Sequence, residues 1–170
     1  MMRQFKICLL GAPEVGKTSL VQRFVHGRFA ENYHSTIGVK IDKRSLTIAD
    51  ESIQLIVWDV QGEERYGKVL PSYLRGMAGY FMVIDTTRPE TVTVASRLRS
   101  RIADDIAPVP FILLLNKSDL PAVYSPELES LADGALAVIE TSARSGERVE
   151  DAFLTLGEGI LEGRRRQDAA

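Results

Sequence analysis

The chain has 170 residues, is 45% hydrophobic, and sets 21 Lys and Arg against 23 Asp and Glu for a formal charge of −2. That size and balance predict a single compact domain over 1–170, with a core over about 5–162 and a short polar tail at 163–170, and the near-neutral charge without a long basic run argues against nucleic acid as the main partner. One cysteine, Cys8, excludes an internal disulfide, and with only His26 and His34 beside it no zinc site can be assembled.

Strand-like apolar or β-branched runs fall at about 5–10, 39–48, 53–58, 80–85, 110–115 and 136–139. Cys8 lies in the first of them, among Phe5, Ile7, Leu9 and Leu10, as a buried, inert thiol. A helical stretch with Leu20, Val21, Phe24 and Val25 follows the first run. Ala49-Asp50-Glu51-Ser52 joins the second and third runs and is short enough for a hairpin. Beyond the fourth run, Thr87-Arg88-Pro89-Glu90 resembles a capping box leading into Ala95, Leu98, Ile102 and Ile106. The last helix carries the stripe Val149, Ala152, Phe153, Leu156 and Ile160, and Arg164-Arg165-Arg166 reads as its solvated end. Alternating strands and helices predict an α/β fold, a six-stranded mixed sheet covered on both faces with one antiparallel edge strand. In such a sheet ligand loops lie beyond the carboxyl ends of the strands, here after 10, 58, 85, 115 and 139.

The first of these loops is Gly11-Ala12-Pro13-Glu14-Val15-Gly16-Lys17-Thr18, a complete G-x-x-x-x-G-K-[ST] between strand and helix. Gly11 and Gly16 let backbone N–H groups converge, the helix N-terminus adds positive potential, Lys17 neutralises β- and γ-phosphate oxygens, and the Thr18 hydroxyl suits Mg²⁺. A glycine turn with a chance lysine is the bland alternative, and its place between strand and helix argues against it. After the fifth run comes Asn116-Lys117-Ser118-Asp119. A carboxylate at Asp119 can accept from the N1–H and 2-amino group of guanine, donors that adenine lacks on that edge. Lys117 can lay its stem along the base, and Asn116 can tie this loop to the phosphate loop. After the sixth run, Ser142, Ala143 and Arg144 offer N–H groups to guanine O6, and Phe29 stands where an edge-on ring covers the base.

Two segments are placed to sense a γ-phosphate. Trp58-Asp59-Val60-Gln61-Gly62 supplies D-x-x-G, with Asp59 holding a Mg²⁺ water and the Gly62 N–H reaching a phosphate oxygen. In Tyr33-His34-Ser35-Thr36-Ile37-Gly38, the Thr36 hydroxyl completes the metal shell only with a triphosphate bound. Trp58, Phe81 and Phe111 are expected in the core. Tyr33, Tyr66 and Tyr73 read as partner contacts.

With these elements in order the chain resembles the Ras superfamily over about 5–162. The Rab branch is the nearest likeness: Ser35-Thr36-Ile37-Gly38-Val39 and Trp58-Asp59 with Gly62-Glu63-Glu64-Arg65-Tyr66 resemble S-T-I-G-V and W-D-T-A-G-Q-E-R-F. The resemblance implies a three-layer P-loop fold with about five helices, and a switch binding GTP or GDP with Mg²⁺. It adds Glu14, Val15, Ser19 and Leu120 to the nucleotide contacts and gives Lys17, Gly62 and Glu63 catalytic roles in a slow hydrolysis. It also implies effectors, exchange factors and activating proteins acting through about 30–38 and 60–74. Glu63 stands where the family has its catalytic glutamine, Arg144 replaces a lysine, and Val60-Gln61 replace Thr-Ala. That motivates an alternative, a GTP-dependent binding module with little hydrolysis. A P-loop ATPase or small-molecule kinase is a third candidate, which Asp119 disfavours. The stretch between Asp119 and Ser142 is short, so the fourth helix, over 126–132, should be brief. Residue 2 is Met and the last four residues hold no cysteine, so the chain is expected to carry no lipid anchor of its own, like small Ras-like GTPases of bacteria and archaea or a shortened chain, and to be cytoplasmic.

Overall fold

A computed structural model describes residues 2–29, 38–61 and 71–170. In chain order its elements are β1 (Arg3–Leu10), α1 (Lys17–His26), β2 (Gly38–Ile48), β3 (Glu51–Gln61), α2 (Pro71–Leu74), β4 (Gly79–Asp85), α3 (Glu90–Asp105), β5 (Phe111–Asn116), α4 (Leu128–Ala132), β6 (Ala137–Thr141) and α5 (Val149–Asp168). β1 sends Phe5, Ile7 and Leu9 into one apolar layer and Cys8 and Leu10 into the other. β4 does the same with Phe81 and Val83 against Tyr80, Met82 and Ile84. Both faces of these strands are buried, so their sequences run apolar without alternation.

The first layer is closed by α1 and α5, whose Phe24 and Phe153 stack at 3.7 Å with Phe81 tilted against Phe153 at 4.7 Å. Each such ring pair is worth about 0.5 to 1.5 kcal/mol beyond the area it buries. The second layer is closed by Val92, Ala95, Leu98 and Ile102 of α3, with Leu74 of α2 and Leu131 of α4. Cys8 is fully buried, and burial pushes its thiol up to about 12, which leaves it unreactive at neutral pH.

The strand order is β2-β3-β1-β4-β5-β6, parallel throughout except for the β2–β3 pair at the edge. The mixed six-stranded sheet follows from the alternation of elements, as expected. The hairpin turn is tighter than four residues. Ile48 pairs with Glu51 across Ala49 and Asp50, whose φ of 47° and 66° are both left-handed, as a two-residue turn matching the strand twist requires. From β1 the sheet grows toward β3 on one side and β4 on the other. The loop after β1 therefore opens into a topological switch point, and the parallel strands bring the ends of β3, β4, β5 and β6 to the same edge.

Three local expectations change. No capping box forms at α3. The helix starts at Glu90, and Thr87 instead directs its N–H and hydroxyl to Asp85 Oδ1, at 2.9 and 2.7 Å, because a buried carboxylate two residues back is the stronger acceptor. Trp58 is only partly buried, packing at the margin of the second layer with the Lys6 ammonium 3.6 Å from its ring centroid. α4 is brief, as foreseen, and begins at Leu128 rather than 126.

Candidate functional site

Between β1 and α1 the backbone takes conformations that side chains resist. Gly11 has φ 148° and Gly16 φ 102°, while Glu14 holds φ 63° despite its side chain. A Cβ on Gly11 would lie 2.2 Å from the Val83 carbonyl oxygen, and one on Gly16 would lie 2.3 Å from Asn116 Nδ2. A loop wound in this way turns successive N–H groups toward one concavity, at the N-terminus of α1. Lys17 is 2% exposed, and its ammonium donates to the carbonyls of Gly11 and Ala12, the latter at 3.0 Å. Val15 is buried, Pro13 and Glu14 stand exposed on the rim, and Ser19 sits half-buried in the first helical turn. The Thr18 hydroxyl donates to Asp59 Oδ2 at 2.6 Å, and Asp59 at the end of β3 is fully buried.

Asn116, the last residue of β5, links the phosphate loop to the end of β6. Its Nδ2 donates to the Val15 carbonyl at 2.8 Å, and its Oδ1 accepts from the Thr141 hydroxyl at 3.2 Å. Lys117 follows with φ 65°, its Nζ donating to the Glu14 carbonyl at 3.0 Å. The exposed Asp119 carboxylate accepts from Ser142 Oγ at 2.8 Å, and the Leu120 N–H closes a turn onto the Lys117 carbonyl at 3.0 Å. Ser142 and Ala143 are buried while Arg144 is exposed. Phe29 is partly buried against the α1 side of the core. The structure thus brings together the phosphate-loop residues, Asp59, and the loops after β5 and β6. Tyr33, Thr36, Gly62, Glu63 and Tyr66 lie outside the described residues.

Four contributors escape a reading of motifs. Arg23 of α1 donates from Nε to the Ala143 carbonyl at 3.0 Å and from Nη2 to that of Arg144, holding the loop after β6 from below. Thr141 orients Asn116. Asp85, 1% exposed, closes β4 and lies 2.8 Å from the Lys117 ammonium, and Arg88 Nη2 donates to the Pro13 carbonyl at 3.1 Å. Burial works to raise the Asp85 carboxyl, yet Lys117 and the hydroxyl and N–H of Thr87 outweigh it and hold the group below its ordinary range. A lone carboxylate ending an apolar strand at the ligand edge was the one available sequence signal. Arg23 offered none.

The donor set suits a small hard cation. Thr18 and Asp59 supply hydroxyl and carboxylate oxygens, and among the described residues no group of three or more His, Cys, Asp or Glu could hold a metal by itself. Mg²⁺ is bound in this sparse manner, keeping waters and taking its remaining oxygens from phosphates. No helix among the described residues is long and apolar enough to cross a membrane.

Comparison with known proteins agrees with this geometry. Residues 6–162 match the sequence model of the Ras family. The chain is 34% identical over 172 residues to the Ras-related protein Rab5A of Oryza sativa subsp. japonica, covering 98% of this chain and 85% of that protein. It is 36% identical over 157 residues to the Ras-related protein RABA2a of Arabidopsis thaliana, covering 89% of this chain and 72% of that one.

Proposed function

The chain belongs to the Ras family, as a Rab-like small GTPase of P-loop fold, and from that premise we propose that it is a Mg²⁺-dependent GDP/GTP switch with slow intrinsic hydrolysis. The observation that carries this is the placement of Asn116, whose side chain bonds the phosphate loop at Val15 and the end of β6 at Thr141, where the next loop begins, so that one residue ties phosphate recognition to base recognition.

In this proposal Gly11 to Ser19 wrap the phosphates, Lys17 sets its charge against the β- and γ-oxygens, and Pro13, Glu14 and Val15 form the rim. Asp119 accepts from guanine, and Ala143 and Arg144 offer N–H groups to its O6, while the Ser142 N–H, expected to join them, is instead given to the Glu147 carbonyl at 3.2 Å. Lys117 and Phe29 flank the faces of the base, and Leu120 closes the pocket. Mg²⁺, held through Thr18, Asp59 and Thr36, supplies charge neutralisation on the phosphates. Gly62 and Glu63 attend the γ-phosphate, and about 30–38 and 60–74 change with the nucleotide, giving effectors, exchange factors and activating proteins a state to select.

The alternative is a GTP-dependent binding module that scarcely hydrolyses, favoured by Glu63. An ionised glutamate accepts from the attacking water without donating to the phosphate, whereas glutamine does both. Calorimetry of the purified chain with GTP, GDP and ATP tests guanine specificity, and equal affinity for ATP would refute it. Hydrogen exchange with a non-hydrolysable GTP analogue and with GDP tests the switch. Protection in 30–38 and 60–74 is expected to be higher with the analogue, and identical protection would refute switching.

A further inference from the structure

We infer that Asp85 is a positioning residue that holds the Lys117 ammonium against the phosphate loop and thereby couples base recognition to phosphate recognition, an inference that rests on the nucleotide-binding proposal above. Asp85 is the one charged residue of β4, and it is buried where the strand reaches the ligand edge. Its Oδ1 is fixed by the N–H and hydroxyl of Thr87 at 2.9 and 2.7 Å. That leaves Oδ2 aimed at Lys117 Nζ, 2.8 Å away, and the same ammonium goes on to the Glu14 carbonyl at 3.0 Å. Arg88 extends the arrangement: its Nε lies 3.9 Å from Asp85 Oδ2, its Nη2 donates to the Pro13 carbonyl, and its Nη1 lies 3.8 Å from the Glu14 carboxylate. The buried carboxylate thus holds Lys117 at close range, while Arg88, 3.9 Å off at its Nε, grips the neighbouring Pro13 carbonyl by itself.

The backbone says why such a fixture is needed. Lys117 and Glu14 both hold left-handed φ values, 65° and 63°, without being glycine. Such conformations persist only where the surroundings over-determine them. Burying an ion pair does little for stability by itself, but it fixes register. The register here is that of the base loop on the phosphate loop. A lysine swinging free of Asp85 would lose both the Glu14 contact and the stem position along the base.

The test is the rate at which mant-GDP leaves the full chain in the presence of Mg²⁺. Asp85→Asn is nearly isosteric and keeps an acceptor for Thr87, but it withdraws the charge from Lys117, so release is expected to accelerate about tenfold or more, as loss of a close ion pair to a buried carboxylate implies. Because Asp85 acts through Lys117, the double variant Asp85→Asn/Lys117→Ala should release no faster than Lys117→Ala within about twofold. A merely structural role would make the two effects multiply, and that result overturns the inference, as does unchanged release from a folded Asp85→Asn protein. If Asp85→Asn fails to fold by circular dichroism, Thr87→Val removes one of the two donors that fix the carboxylate, keeping the backbone N–H, and leaves the charge in place. It should speed release in the wild-type background and leave Lys117→Ala unchanged, and acceleration in both backgrounds refutes the coupling. A wild-type chain that binds no mant-GDP overturns the nucleotide proposal and this inference with it.

Discussion

Asn116 fills the space that a side chain at position 16 would need: a Cβ on Gly16 would stand 2.3 Å from Asn116 Nδ2, the atom that bonds the Val15 carbonyl. Gly16→Ala therefore meets two obstacles at once, this clash and a φ of 102° that L side chains rarely adopt. The expected cost is on the order of 1 to 3 kcal/mol of stability. Nucleotide affinity should fall further, because moving Asn116 unties the phosphate and base loops together. Urea unfolding and GDP titration of the same variant would check this, and a loss of stability with undiminished GDP affinity would separate the two effects and contradict the shared role of Asn116.

Guanine specificity is expected to rest on Asp119, already oriented by the Ser142 hydroxyl. Asp119→Asn gives up two charge-assisted hydrogen bonds, each worth roughly 1.5 to 3 kcal/mol, so GTP affinity should drop by about two orders of magnitude or more. The amide can donate where the carboxylate only accepts, so relative affinity for xanthosine nucleotides should rise. Competitive titration with GTP and XTP measures both, and an unaltered ratio would remove Asp119 from base reading.

Hydrolysis should be slow, within about tenfold of the ~10⁻⁴ s⁻¹ scale of unassisted Ras-type proteins. In the proposed site the Glu63 charge would oppose the γ-phosphate, while its basicity would favour accepting a proton from water. Pro13 lacks an N–H and places a ring on the exposed rim of the phosphate loop, where an arginine from an activating protein would enter. Single-turnover assays on wild type, Glu63→Gln and Pro13→Gly resolve the contributions. A wild-type rate above about 10⁻² s⁻¹ would contradict slow turnover, and no detectable hydrolysis would favour the binding module.

Acid should act through Asp85. Its carboxyl titrates below the ordinary 3.8, so the stability it contributes is complete above the unfolded value and is lost as pH falls through the lower, folded one. Asp85→Asn is thus expected to lower unfolding stability at pH 7 by about 1 to 3 kcal/mol, with the gap to wild type closing below about pH 4. Denaturant melts at pH 7 and pH 3 read this directly. A gap independent of pH would mean that shape, not charge, is what Asp85 supplies.

The sequence by itself determined the number of strands and their succession along the chain, the antiparallel edge pair, the apolar stripe of α5 and the phosphate-loop motif between β1 and α1. Burial leaves a period in the chain, and a phosphate loop needs its glycines and lysine at set spacings. Tertiary structure alone decided which side chains hold those loops in place. Arg23 reaches the Ala143 carbonyl across 120 positions of sequence and Lys117 reaches Glu14 across 103, whereas the tie from Asn116 to the phosphate loop was already expected from its motif. No local pattern encodes such contacts, because each depends on where the sheet register sets two distant strand ends. The same register diverted Thr87 from capping α3 to serving Asp85, and it left Trp58 at the margin of the core rather than inside it. Periodicity reports that a residue is buried or exposed, whereas the partner of a polar group is chosen by the geometry of its neighbours in space.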